Sequence, residues 1–251
     1  MKTKLGQNFL INKDVAKKEI SIANISKKDI VLEIGPGNGI LTNILAEKAK
    51  KVIAVELDKK LFNNLKGKIP NNVTLINDDI LNINFKEIEN FNKIVSNLPF
   101  QISSPITFKL LEKQFDLAVL IYQKEFGQRL IAKPNTKDYS RITVNIYYKA
   151  ECELIDIIPK EFFNPKPKVD GCIIKMIPRK KPPFFVENEE FFLKLTKNLF
   201  NHRRKKIKYT IKKYIDYRII DNFLLTYLDK RIENLSPEEV GFISNIIYNK
   251  L

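Results

Sequence analysis

The chain has 251 residues, 44% of them hydrophobic, and carries 44 Lys and Arg against 29 Asp and Glu, for a formal charge of +15. That composition excludes a disordered polyelectrolyte and allows one large or two smaller domains around a sizeable core, while the charge points to a polyanionic partner, nucleic acid before membrane. Cys152 and Cys172 have no metal-ligand spacing and exclude a disulfide framework, so a reducing, cytoplasmic setting is expected; no apolar run approaches a membrane span, and the opening MKTKLGQNFLINKD lacks the apolar stretch of a signal peptide.

From residue 30 short apolar runs alternate with longer mixed ones. DIVLEIG (29–35), KKVIAVEL (50–57), VTLIND (73–78), NKIVSN (92–97) and LAVLIYQ (117–123) read as five buried strands, and ILTNILAEKA, KKLFNNLKGK and SPITFKLLEK between them as helices. The alternation predicts βαβ units and an α/β fold with a mostly parallel, doubly wound sheet. RITVNIYYKAECELIDII (141–158) and GCIIKMIP (171–178) read as antiparallel strands added at its edge, separated by the rigid Pro-rich loop FFNPKPKVDG. IPRKKPPFF (177–185) reads as a linker, after which EEFFLKLTKNLF, KKIKYTIKKYI, RIIDNFLLTYL and SPEEVGFISNIIYNKL predict a small all-α domain. Ser236 and Pro237 supply an N-cap and first helical position for the last of these. The expected division is 1–183 and 184–251.

The chemistry gathers at strand ends. Gly35, Gly37 and Gly39 form a G-x-G-x-G turn between a strand and a helix, where the backbone turns tightly and a ligand approaches closely. Glu56, at the end of the second strand, suits the two hydroxyls of a ribose, and Asp58 reads as a helix cap. Asp78 and Asp79 follow the third strand; one suits an adenine amino group and the other a turn. The fourth strand leaves through Asn97-Leu98-Pro99-Phe100. Asn97 offers an acceptor, Pro99 fixes φ so that the Leu98 carbonyl is aimed outward, and Phe100 offers a flat face, a set that matches the exocyclic amine of an exposed base.

GQNFL (6–10), EIGPGNG (33–39), VELD (55–58), NLPFQISSP (97–105) and FFNPKPKVD (162–170) together resemble the rRNA adenine N6,N6-dimethyltransferases, over nearly the whole chain and in family order. The closer resemblance is to the KsgA type that modifies small-subunit rRNA, in its archaeal and eukaryotic branch. It implies a Rossmann-like class I methyltransferase fold with a seven-stranded sheet, S-adenosylmethionine as methyl donor, and two adjacent adenines in the 3′-terminal hairpin of small-subunit rRNA as target. By resemblance Gln7, Asn8 and Leu10 close over the donor, Gly35 and Gly37 line its methionine part, Glu56 holds the ribose, Asp79 meets the adenine with Ile80 beside it, and Asn97 contacts donor and target. Phe163 would sandwich the target base against Phe100, with Phe162 as the alternative.

Between Arg203 and Lys213 the chain has seven basic residues and no acid, a face suited to rRNA phosphates, with Arg203, Arg204, Lys205 and Lys206 at its head. Arg179 to Lys181 and Lys2 and Lys4 would extend it; His202, the only histidine, reads as an RNA-contact or surface residue, and no metal ligand set is expected. KPNTKDYSRIT (133–143) reads as a mobile loop bordering the active site. The partner expected is the small ribosomal subunit, with no membrane, for a monomeric protein. Two rivals stand beside this reading: an Erm-type enzyme acting on large-subunit rRNA, and a ribosome-assembly factor with methylation secondary.

Overall fold

The computed structural model describes residues 7–215 and 222–251. In chain order the elements are β1 (Phe9–Leu10), α1 (Lys13–Ile22), β2 (Ile30–Ile34), α2 (Ile40–Lys48), β3 (Lys51–Glu56), α3 (Lys59–Leu65), β4 (Val73–Asn77), β5 (Lys93–Asn97), α4 (Ser103–Leu110), β6 (Leu117–Gln123) and α5 (Lys124–Leu130). They continue with α6 (Arg141–Lys149), β7 (Ala150–Ile158), β8 (Phe163–Asn164), β9 (Gly171–Pro178), α7 (Glu189–Asn201), α8 (Ile207–Thr210), α9 (Asn222–Leu228) and α10 (Pro237–Tyr248). Two compact units result: the chain up to Gly127 with Glu151–Pro178, and Gln128–Ala150 with Arg179–Leu251.

The first unit is built on a seven-stranded sheet of order β4-β3-β2-β5-β6-β9-β7. The pairs from β4 to β6 are parallel, and β9 runs antiparallel to β6. Each of the five strands read from sequence is present, and β2, β3, β5 and β6 are mostly apolar because they are buried along most of their length. On one face Val31, Val95, Val119 and Ile121 pack under Val15, Ala16 and Ile20 of α1 and Leu41 and Leu45 of α2. Leu32, Ile34, Ile94 and Leu120, which alternate with them, are buried on the other.

The sheet order reverses between β2 and β5, and there the strands part. Their ladder joins Val31 to Lys93 and Leu32 to Ile94. Beyond it the Ser96 hydroxyl donates to the Ile34 carbonyl at 2.6 Å and accepts the Ile34 N–H at 3.3 Å. One buried side chain thus satisfies the backbone groups that a wider strand separation leaves open, and the crevice at the topological switch point begins there.

The second unit buries Tyr139, Tyr148, Phe192, Leu199, Val240 and Ile243 in its own core. α10 starts as its sequence dictates: Ser236 accepts the Glu239 N–H at 3.2 Å, Glu239 accepts the Ser236 N–H at 2.7 Å, and Pro237 holds the first position.

Three sequence expectations are corrected. RITVNIYYK is the helix α6, and only Ala150–Ile158 is the strand β7. Apolar residues on alternate positions suggested a strand, but Ile142, Val144, Ile146 and Tyr148 are buried together with the polar Thr143 and Asn145, which blurs the helical period. Its start is fixed by the Ser140 N–H, which donates to Thr143 Oγ1 at 3.0 Å. The unit boundary accordingly falls at Pro178, and residues 128–150 join the second unit instead of the first. Finally, KKIKYTIKKYI is not one helix: α8 spans only Ile207–Thr210, and Lys206 before it bridges to Arg231. Residues 216–221, the last four of which open the run read as the helix RIIDNFLLTYL, and Lys2 and Lys4 lie outside the described residues.

Ser96→Ala should cost about 2 kcal/mol, because it strands two buried backbone groups, and should lower the thermal midpoint by roughly 4–8 °C in a melt followed by circular dichroism.

Candidate active site

The C-terminal ends of β2, β3, β4 and β5 lie at one edge of the sheet, and each contributes to a cavity of about 320 Å³. Ile34, Val55, Ile80, Pro99 and Ile102 make its walls apolar, and Gln7, Glu56, Asp78, Asp79 and Gln101 add polar groups. A smaller cavity of about 30 Å³ lies alongside, sharing Gly35 and lined also by Phe9, Leu10, Glu33, Asn38 and Asn97.

The glycine turn is shaped by contacts on both sides. Gly35 has φ +70°, and a Cβ built on it would meet the Pro99 ring at 3.4 Å, so the exits of β2 and β5 pack directly against each other. Gly37 has φ +57°, and a Cβ there would come within 2.7 Å of the Phe9 ring. Phe9 is held over the turn because β1 pairs antiparallel with β8, Leu10 opposite Phe163.

Glu56 is buried, and its two oxygens accept the N–H of Gly37 at 3.1 Å and of Asp58 at 2.9 Å. Burial raises its carboxyl above the usual range, while the two N–H groups oppose the shift and favour the anion. Asp58 caps α3, as expected, by accepting from the Lys60 and Leu61 N–H groups. Both members of the Asp pair act on the turn after β4: Asp78 accepts the Asp79 N–H at 2.7 Å and Asp79 accepts the Leu81 N–H at 2.9 Å. Asp79 is the more covered of the two, beside buried Ile80.

At the end of β5 the Asn97 Nδ2 donates to the Asn8 carbonyl at 3.3 Å, which fixes the amide orientation. Asn97 Oδ1 is then a buried acceptor with no hydrogen-bond partner among the described residues. The buried Leu98 donates its N–H to the Ile121 carbonyl at 3.3 Å, prolonging the ladder, and Pro99 has φ −58° and ψ 120°. Phe100 opens a tight turn into α4 and keeps part of its ring exposed.

The expected sandwich of Phe100 and Phe163 is not present. Phe163 is 2% exposed, packs in the core with Leu10, and meets Phe100 edge-on, with centroids 6.2 Å apart and planes at 61°. Its ring is buried by the β1–β8 pairing and buttresses Phe100 instead of offering a face. Phe162 is only partly buried.

In the second unit the basic run divides by role. Arg203 is spent internally: it donates to Glu233 at 2.7 Å and to the Thr136 and Lys137 carbonyls at 2.8 Å each. Lys206 pairs with Asp229 at 2.9 Å, and Lys208 and Lys206 together hold that carboxyl down at about 2. The acids missing from the run in sequence arrive from residues 229–233 through the fold. Arg204 and Lys205 are exposed, and so is Tyr209 beside the ammonium groups of Lys208 and Lys212. Residues 133–140 are tied down and not a free loop: besides the Arg203 bonds, Tyr139 donates to the Leu235 carbonyl at 2.7 Å.

Glu33, Phe9 and Ser96 carry roles that sequence reasoning did not assign. The signal was available for two of them, since Glu33 and Ser96 are polar residues inside otherwise apolar strands, IVLEI and KIVSN. Glu33 is 2% exposed, its Oε2 has no hydrogen-bond partner among the described residues, and burial, aided by the nearby Glu56, pushes its carboxyl up to about 8. The folded state therefore keeps a proton that the unfolded chain loses near 4.5, and stability contributed by protonated Glu33 falls as pH rises between those values. Denaturant midpoints of the ligand-free protein should drop from pH 5 to pH 8, and Glu33→Gln should make that slope shallower.

The match to the family model described as ribosomal RNA adenine dimethylase extends over residues 1–249. A probable ribosomal RNA small subunit methyltransferase A from Methanococcus vannielii is 45% identical over 98% of this chain and 96% of its own. Among solved structures, a dimethyladenosine transferase from Plasmodium falciparum has a TM-score of 0.81 at 30% identity, covering 96% of this chain and 98% of its own. The 23S rRNA methyltransferase ErmE has a TM-score of 0.71 at 26% identity, covering 95% of this chain and 99% of its own. With residues 1–249 matched by the family model and a relative 45% identical over 98% of its length, the chain belongs to the ribosomal RNA adenine dimethylase family.

Proposed function

We propose that the two cavities at the strand ends hold S-adenosylmethionine and that Asn97, Leu98, Pro99 and Phe100 present N6 of two adjacent adenines in the 3′-terminal hairpin of small-subunit rRNA for dimethylation. The observation that carries this reading is the buried, unpartnered Asn97 Oδ1 at the mouth of a Gly-rich turn, an acceptor built to receive an N–H. The relatives named for the small subunit favour that target over the large-subunit target in the name of ErmE.

The residues fit the donor. The apolar walls of Ile34, Val55, Ile80 and Ile102 suit an adenine face, the Glu56 oxygens keep lone pairs for ribose hydroxyls, and Asp79, with Ile80 beside it, suits the adenine amino group. Gln7 reaches the larger cavity and Leu10 the smaller, while Asn8 acts through its carbonyl by orienting Asn97. Gly35 lines both cavities, where it meets the methionine half, and Gly37 turns the chain beside it under the Phe9 ring. When bound, the donor supplies an electrophilic methyl group on a sulfonium sulfur.

The chain's part is positioning and electrostatics. The amine lone pair of adenine is delocalised into the ring. Asn97 Oδ1 and the Leu98 carbonyl each accept an N6–H, draw the nitrogen toward tetrahedral geometry and free the lone pair. Pro99 holds the Leu98 carbonyl in place, and Phe100 stacks on the base. Asn97 cannot take a proton, so the proton released on alkylation goes to water. After one transfer a single N–H remains, and the site must accept a methyl in place of the other. In the second unit Arg204, Lys205 and Tyr209 meet the RNA, while Arg203 and Lys206 support the fold. The protein acts in the cytoplasm, as a monomer; no helix among the described residues is long and apolar enough to cross a membrane.

Asn97→Ala should reduce tritiated methyl transfer to unmethylated small subunits by roughly 100-fold or more; near wild-type rates would sink the role assigned to Asn97. Replacing Arg204 and Lys205 together by Ala should reduce the salt slope of rRNA binding by about 2, whereas Arg203→Ala should chiefly lower the melting temperature.

A further inference from the structure

Two stretches of the larger cavity's lining come from separate strand exits: Asp78, Asp79 and Ile80 after β4, and Pro99, Gln101 and Ile102 after β5. The second stretch runs straight into α4, and from the last turn of α4 Lys109 reaches the loop that follows the first. Its Nζ donates to the Leu81 carbonyl at 2.6 Å and lies 5.2 Å from the centre of the Phe85 ring. Phe85 is buried and meets Phe91 edge-on at 5.7 Å, so the ammonium has a fixed seat. The carbonyl that Lys109 meets belongs to the peptide whose N–H, on Asn82, donates to the Asp79 carbonyl at 2.8 Å. One peptide earlier, the Leu81 N–H donates to Asp79 Oδ1 at 2.9 Å. A charged donor at one end of such a chain polarises the peptide and strengthens the bond beyond it. Lys109 thus ends a hydrogen-bond chain that holds Asp79 by its main chain beside a turn that holds it by one carboxylate oxygen. The other oxygen, Oδ2, has only the Asn82 amide at 3.5 Å, too long for a strong bond. Lys113 makes a similar pair of contacts, with Asn90 at 2.8 Å and the Phe91 ring at 5.9 Å, but near the start of β5 and not at Asp79.

We propose that Lys109 is a positioning residue for the methyl donor's adenine: through the Leu81–Asn82 peptide it fixes Asp79 so that Oδ2 faces the adenine amine. It touches neither donor nor target. It also ties the helix that leaves the N-L-P-F segment to the turn that reads the donor, so the two stretches of cavity lining keep one spacing. This rests on the donor site proposed above.

The experiment is calorimetric binding, to the full chain, of S-adenosylhomocysteine and of S-inosylhomocysteine, in which an oxygen replaces the adenine amine. The wild type should prefer S-adenosylhomocysteine by roughly 30-fold or more, because without the amine the Asp79 carboxylate meets an acceptor instead of a donor. Lys109→Met, which keeps the apolar stem beside Phe85, should bind S-adenosylhomocysteine about tenfold more weakly and S-inosylhomocysteine within about twofold of the wild type. Lys109→Gln, one bond shorter and still polar, should lose the preference in the same way and carries the test if Lys109→Met does not fold. Lys113→Met should keep the preference of the wild type. Equal weakening of both ligands, an unchanged preference in the Lys109 variants, or the same loss in Lys113→Met would overturn the inference alone. A wild type that binds neither ligand, or both equally, would overturn the donor site as drawn above, and this inference with it.

Discussion

The carboxylate of Glu56 holds the site together. It ends β3 and is the shared acceptor for the N–H of Gly37 in the turn after β2 and the N–H of Asp58 at the head of α3. Through those two bonds the exits of neighbouring strands are fixed relative to each other, and the glycine turn is held in the positive-φ conformation that no side chain could share with Phe9. The charge is costly to bury, and two backbone donors offset only part of that cost. Such an arrangement makes sense where a ligand completes it.

The same logic runs along the sheet. Glu33, Ser96 and Asn97 interrupt strands that are otherwise apolar, and each does something a hydrophobic residue could not. Ser96 replaces ladder hydrogen bonds where β2 and β5 part. Asn97, clamped by the Asn8 carbonyl, keeps an acceptor buried and unpaired. Glu33 brings a second carboxyl close to Glu56. Glu33 and Asn97 give up stability for a preorganised pocket at the point where the sheet order reverses, and Ser96 recovers part of it.

Much of this was legible in the sequence. The parallel strands were visible because both faces are buried and the runs are nearly continuous in Val and Ile; the start of α10 was visible because Ser236, Pro237 and Glu239 are local signals. The placement of Gly35, Glu56, Asp79 and Asn97 at strand ends was legible for the same reason, since each follows a recognisable run. What failed depended on partners distant in sequence. α6 buries the polar Thr143 and Asn145 along with its apolar residues, so its pattern imitates a strand. Arg203 and Lys206 looked free because Glu233 and Asp229 lie more than twenty residues on. Phe163 looked like a stacking face because nothing local reveals that β8 pairs with β1.

The central claim is that this strand-end site dimethylates adjacent adenines of small-subunit rRNA. Mass spectrometry of the 3′-terminal rRNA fragment, from unmethylated small subunits incubated with the protein and S-adenosylmethionine, tests it most directly. The account requires two neighbouring N6,N6-dimethyladenines there and none in large subunits treated alike. Unmodified adenines in that hairpin, or dimethyladenine appearing only in the large subunit, would contradict it.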